Sequence, residues 1–143
     1  MSPLDIDIIR AKIAIIQDNL KALEPIKEMS RDEYFRDLYK RKATERLMQE
    51  LIEAAIDVNT HMVVGSGHAP PDDYYQSFIR AGELGILSPG LAEKLAPSAG
   101  LRNRLVHEYE RIDHSIILKA VSMAEEYYPR YIEEISDFLA RKS

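Results

Sequence analysis

Residues 43–64 read ATERLMQELIEAAIDVNTHMVV. Leu47, Leu51, Ala54, Val58 and Met62 recur at intervals of three and four, the spacing that lines one face of an α-helix. That spacing predicts a helix running up to Gly65, after which Gly65-Ser66-Gly67-His68-Ala69-Pro70-Pro71 reads as a loop. The same period continues on both sides. Upstream, Ile9, Ile13, Ile16, Leu20 and Leu23 form an apolar stripe. Ser2 is the expected N-cap and Pro3 the N1 residue, with Asp5 in the first turn. Pro25 is expected to disrupt or end that helix. Ser30-Arg31-Asp32-Glu33 matches a capping box that opens the next helix. Downstream, a shorter helix is expected from about Asp72 to Gly82, with another start at Ser88-Pro89. Pro97 interrupts that segment and Ser98 restarts it. Asp113 is placed to cap a last helix with the stripe Ile117, Val121, Ala124, Tyr128, Ile132, Ile135 and Leu139. No alternating strand pattern of useful length appears. The expectation is an all-α antiparallel bundle of four long helices and a short one, forming a single domain over residues 1–143.

Composition bounds what such a bundle does. At 143 residues with 45% hydrophobic content, the chain is large enough to bury a core. It has no cysteine, so neither a disulfide framework nor a thiolate metal site is available. No apolar run approaches the ~20 residues of a membrane span. The first residues lack a signal-peptide layout. A cytoplasmic location is expected. The net charge of -5 opposes indiscriminate binding to nucleic acid, because neutralising phosphates needs a basic surface. Any RNA contact must therefore be local.

The local candidate is Arg102-Asn103-Arg104-Leu105-Val106-His107-Glu108-Tyr109. Imidazole both accepts and donates a proton near neutrality. Guanidinium grips phosphate through a planar fork of donors. A metal-independent phosphodiester cleavage needs these two groups. On a helix Asn103 and His107 share a face, as do Arg102 and Tyr109, and Asn103 is placed to hydrogen-bond the imidazole. Arg102 and His107 diverge by roughly 140° on an ideal helix. They converge on one phosphate if the helix ends or distorts near Val106, if the arginine wraps round, or if a facing subunit supplies a second copy. A plainer account also fits, in which Arg104, Glu108 and Arg111 form a solvated ion-pair row.

Residues 101–113, LRNRLVHEYERID, resemble the signature of the HEPN superfamily, specifically its HepT-like ribonuclease toxins. Their motif, Arg-x4-His-x-Tyr after a Gly-hydrophobic pair, matches here after Gly100-Leu101. Residues 43–64 resemble the family's long second helix, with its Asp-x-x-x-His element at Asp57 and His61. Two prolines depart from the pattern: Pro97 just before the motif helix, and Pro129 inside the last one. The resemblance implies a homodimeric endoribonuclease toxin of a type VII toxin–antitoxin system, with one motif from each subunit facing a shared cleft. His107 would be the general base or acid, and Arg102 would stabilise the phosphorane. Asn103 would orient the imidazole or the phosphate. Arg104 and Arg111 would contact RNA, plausibly tRNA. No metal or other cofactor is expected. The implied partner is a minimal nucleotidyltransferase antitoxin that adenylylates Tyr109, so that the added AMP pairs with Arg102.

The competing reading is a non-catalytic helical module that assembles with a nucleotidyltransferase. Other residues carry plainer expectations. His61 is expected to pack or hydrogen-bond, His68 to be solvated, and His114 to sit in the first turn of the last helix. Tyr74-Tyr75 and Tyr127-Tyr128 have base-stacking chemistry, yet one of each pair is expected to face inward. Lys40-Arg41-Lys42 reads as a solvated helix face.

Overall fold

A computed structural model describes residues 4–142, and the described residues are helical with no strand. The helices are α1 (Ile6–Glu28), α2 (Arg31–Arg36), α3 (Leu38–Gly65), α4 (Tyr74–Glu83), α5 (Pro89–Leu95), α6 (Ser98–His107) and α7 (His114–Lys142). The all-α bundle is as expected. Its division is three helices longer than twenty residues and four of ten or fewer.

The helix boundaries follow from local chemistry. The expected N-cap pair Ser2-Pro3 lies outside the described residues. Asp5, expected inside the first turn, is itself the N-cap, its carboxylate accepting from the Ile8 amide at 3.2 Å. Pro25 does not end α1, which continues to Glu28. The proline sits one turn from the end on the exposed face, so it removes a single hydrogen bond and its ring meets no packed neighbour. Ser30 caps α2 as expected. Its hydroxyl accepts from the Glu33 amide at 3.2 Å and donates to the Glu33 carboxylate at 3.1 Å. Asp113 caps α7 through the Ser115 amide at 2.8 Å. Gly67, at φ 92°, supplies the left-handed turn after α3.

Side-chain register gives the direction of the long helices. Lys12 pairs with Asp57 at 2.9 Å, while Asn19, further along α1, donates to the Leu47 carbonyl, earlier on α3. These two helices are therefore antiparallel. On α7, His114 faces Glu45 and Tyr131 donates to Asn59, so α3 and α7 share a direction, and α4 to α6 make the return. The central element is α3, which packs on α1, α2, α4, α6 and α7. Ile9, Ile16 and Leu23 meet Leu51, Ala55 and Met62 in a core with no solvent exposure. Along α7 the buried stripe is Ile117, Val121, Ala124, Tyr128, Tyr131, Ile135 and Phe138. Tyr131 and Phe138 replace the expected Ile132 and Leu139, which are half-buried. Pro129 faces solvent and α7 continues through it.

One polar cluster ties α2, α3 and α7 together. Burial pushes the Tyr34 phenol up to about 12, so it stays protonated. The Tyr34 hydroxyl and His114 Nδ1 share a hydrogen bond at 2.7 Å, and His114 Nε2 stands 3.7 Å from the Glu45 carboxylate. Burial lowers the His114 pKa below its ordinary 6.5, outweighing the opposing pull of Glu45. The unfolded chain then takes up the proton more readily than the folded one. This group's stabilisation is complete above pH ~6.5 and is lost as the pH falls through the lowered folded value. In urea titrations at pH 7.5 and 5, wild type should lose more stability on acidification than His114→Gln, which keeps an acceptor for Tyr34. Equal losses in the two proteins would remove His114 as the cause.

Candidate functional site

The motif begins on α6, where Leu101 and Leu105 face the core and leave Arg102, Asn103, Arg104 and His107 on the outer side. Arg104 and His107 stand in the last turn, where positive charge suits the helix dipole. Glu108 and Glu110 follow, and carboxylates there oppose the same dipole. The helix stops at His107, with Glu108 as its C-cap. The expected continuous helical face from Arg102 to Tyr109 therefore does not form, because Tyr109 lies in the turn that leads to Asp113. The Arg104, Glu108 and Arg111 row is broken for the same reason. Arg111 instead donates its backbone N–H to the Glu108 carbonyl at 2.9 Å. Arg104 and Arg111 are exposed, and among the described residues neither has a carboxylate partner.

Arg102 is the most tightly held member. Its side chain is 18% exposed, and Nε donates to Glu53 Oε2 at 2.9 Å, with Nη2 also 2.9 Å from that oxygen. Nη1 donates to Asn103 Oδ1 at 3.3 Å. The guanidinium lies over the Tyr74 ring, 4.9 Å from its centroid. Each guanidinium nitrogen thus faces a protein acceptor. The terminal nitrogens still carry a further N–H each for a phosphate, because guanidinium has five. The expectation that Asn103 holds the imidazole is corrected, since its carbonyl oxygen serves Arg102. His107 is exposed, and among the described residues it makes no hydrogen bond or ion pair.

Tyr109 is 51% exposed and its ring lies 5.6 Å from Lys42 Nζ. Lys42 in turn lies 3.6 Å from Glu45 Oε2, in the cluster that holds His114. A cleft of about 390 Å³ opens beside Tyr109. It is lined by Lys42, Glu45, Arg46 and Gln49 of α3, with Leu105 and Val106 of α6. Lys42 is therefore not simply part of a solvated face. Its neighbours Lys40 and Arg41 serve Asp37 and the Phe35 carbonyl.

The remaining expectations divide. Tyr74 and Tyr75 are both exposed, so neither packs inward, while Tyr128 is buried and Tyr127 half-buried. His68 is exposed in its loop, and His61 is exposed rather than packed. The Asp57-x-x-x-His61 pair is not joined, because Asp57 serves Lys12. Among the described residues no group of three His, Asp or Glu is placed to hold a metal. Glu53, which anchors Arg102, is the contact of the candidate site that sequence reasoning missed. Its only signal was its place in the Glu50, Glu53 and Asp57 run, which nothing in the sequence sets apart from the other charged positions of α3.

Glu53 sets a testable constraint on the arginine. Glu53→Gln keeps an acceptor and removes the charge that anchors the fork. Cleavage should fall by about tenfold, chiefly in kcat, as the contacts from Nε and Nη2 lose their charge assistance. An unchanged kcat would show that Glu53 only braces the fold.

A family model described as Ribonuclease HepT-like matches residues 16–135. A tRNA nuclease HepT from Aphanizomenon flos-aquae is 37% identical over 139 residues, covering 97% of this chain and 95% of that protein. An mRNA nuclease HepT from Shewanella oneidensis is 25% identical over 129 residues, covering 90% of this chain and 96% of that protein. A solved structure of the tri-AMPylated Shewanella oneidensis HEPN toxin in complex with MNT antitoxin superposes with a TM-score of 0.82. It covers 92% of this chain and 98% of that one at 24% identity, which shows the fold.

Proposed function

The chain belongs to the HepT-like ribonuclease family, and from that premise we propose that it is the endoribonuclease toxin of a toxin–antitoxin pair. The carrying observation is Arg102, held against Glu53, Asn103 and Tyr74 with donors to spare, on the helix that ends in an exposed His107. A fixed guanidinium stabilises charge developing on phosphorus. A solvent-accessible imidazole, bound to nothing else, is free to move a proton.

In the proposed reaction the RNA 2'-oxygen attacks the adjacent phosphorus and the bond to the leaving 5'-oxygen breaks. His107 takes the 2'-hydroxyl proton or delivers one to the 5'-oxygen. Arg102 faces the phosphorane, and Asn103 steadies the fork. Arg104 and Arg111, exposed and without ion pairs among the described residues, receive neighbouring phosphates. No metal is needed for these steps. RNA is the substrate class. Relatives are named for tRNA and for mRNA cleavage, and tRNA is the finer choice because the relative so named is the more similar of the two.

A homodimer is the assembly that suits this reading. Helix α6 keeps His107 in register to the last residue, and the Arg102 side chain turns toward α3 and α4. The Arg102 fork is committed to Glu53 and Tyr74 on its own subunit, and a facing subunit is the arrangement that offers a second copy of the motif to the same phosphate. Tyr109, exposed beside the site, is the acceptor of AMP from a nucleotidyltransferase antitoxin, in keeping with the tri-AMPylated toxin of the similar complex.

The test is cleavage of RNA by the purified protein. Fragments ending in 2',3'-cyclic phosphate and 5'-hydroxyl are expected, from a protein that sediments as a dimer at micromolar concentration. Intact protein with no cleavage of any RNA would leave the non-catalytic binding module in its place.

A further inference from the structure

We propose that the cleft between Lys42, Arg46 and Gln49 of α3 and Leu105–Val106 of α6 is the seat of the nucleotide carried on Tyr109. This rests on the assignment of Tyr109 as the AMP acceptor. A modified Tyr109 would then be silenced by a nucleotide folded back onto its own subunit.

Three observations lead there. First, Tyr109 lies at the edge of the cleft, with Lys42 Nζ 5.6 Å from its ring. An ammonium so near the ring is in reach of a phosphodiester on the same phenol. Second, Lys42 stands beside a buried carboxylate. Glu45, itself only 8% exposed, lies 3.6 Å from its ammonium, and His114 lies 3.7 Å from the same carboxylate oxygen. That pairing keeps the ammonium on the cleft side of α3 while leaving it exposed to an incoming anion. Third, the lining suits a nucleoside. Leu105 and Val106 offer an apolar wall to a base, Gln49 offers amide donors and an acceptor, and Arg46 adds a second cation.

The charges around the cleft are Lys42 and Arg46 against Glu45, with Glu50 3.0 Å from Arg46 Nε. Glu53 lies just beyond, accepting from Gln49 Nε2 at 3.4 Å, and it also anchors Arg102. A nucleotide in the cleft is thus separated from the candidate catalytic arginine by one side chain.

The transfer itself balances. The Tyr109 oxygen attacks the α-phosphorus of ATP, pyrophosphate leaves, and the phenol proton passes to solvent or to the partner enzyme. The product is a phosphodiester with one negative charge, which the pair Lys42 and Arg46 is suited to neutralise. An RNA strand offers the same chemistry, a nucleoside phosphate, so the experiment must separate the two sources.

The protein and its Lys42→Ala/Arg46→Ala form are each co-expressed with the nucleotidyltransferase, and AMP on Tyr109 is verified by intact mass and peptide mapping. Both replaced side chains are more than half exposed, and because Lys42→Ala takes a cation from the buried Glu45, thermal unfolding of the double variant is compared with wild type. A phosphodiesterase should release AMP about tenfold faster from the double variant, the loss of a charge-assisted contact. The modified variant should also regain measurable RNA cleavage, whereas modified wild type stays silent. Lys42→Arg should restore slow release. Equal release rates together with equal silence overturn the proposal. So does loss of cleavage by the unmodified double variant, which would give the cleft to the RNA strand. Absence of any AMP adduct removes the assignment of Tyr109 itself, and the proposal with it.

Discussion

Replacing His107 by alanine is expected to slow RNA cleavage by about 10²–10⁴-fold, the contribution of a positioned acid–base group. The fold should be untouched, because His107 is exposed in the last turn of α6 and its side chain has no polar partner among the described residues. Thermal unfolding of the two proteins should coincide, which separates lost chemistry from lost structure. Arg102→Ala should cost a comparable factor, by removing the charge that faces the phosphorane. Its stability needs checking, since it leaves the half-buried Glu53 carboxylate without its cation. Arg102→Lys keeps the charge and loses the fork, so it should recover little activity. Wild-type cleavage should be the same with and without EDTA. Inhibition by the chelator, reversed by one divalent metal, would end the metal-free mechanism.

The sequence carried the fold well wherever a residue's role is local. Capping by Ser30 and Asp113 needs only the next three residues, and both caps stand as read. Pro25 misled as a helix end, because a proline near a terminus forfeits one backbone hydrogen bond and α1 still runs on to Glu28, whereas the last helix was read through Pro129 and does run through it. Pro25 and Pro129 both face solvent. The motif residues were legible as types, whereas their partners were not. Asn103 serves Arg102 because Glu53 and Tyr74 draw that side chain toward α3 and α4, and those contacts span 49 and 28 positions. No spacing rule within one helix reports such contacts. Tyr109 shows the same limit. Its distance from Arg102 suggested a common helical face, but the helix ends first and the phenol meets Lys42, 67 positions upstream.

Tyr109→Phe is expected to cleave RNA as wild type does and to be insensitive to a nucleotidyltransferase that silences wild type completely. The ring that rests on Lys42 is kept, so the turn after α6 loses no packing. Only the nucleophilic oxygen goes, and Tyr109 makes no hydrogen bond among the described residues for that oxygen to forfeit. Wild type carrying AMP would gain a phosphodiester charge and a nucleoside two residues from His107. Bulk and charge both oppose entry of an RNA phosphate there, the charge most strongly at low salt. The measurement is survival of cells expressing each toxin with the nucleotidyltransferase, paired with intact mass of the recovered protein. Wild type should carry AMP and be harmless, while Tyr109→Phe should carry none and remain toxic. If Tyr109→Phe is neutralised with no added mass, silencing comes from docking of the partner, and the exposed phenol beside the cleft is an interface residue rather than an acceptor.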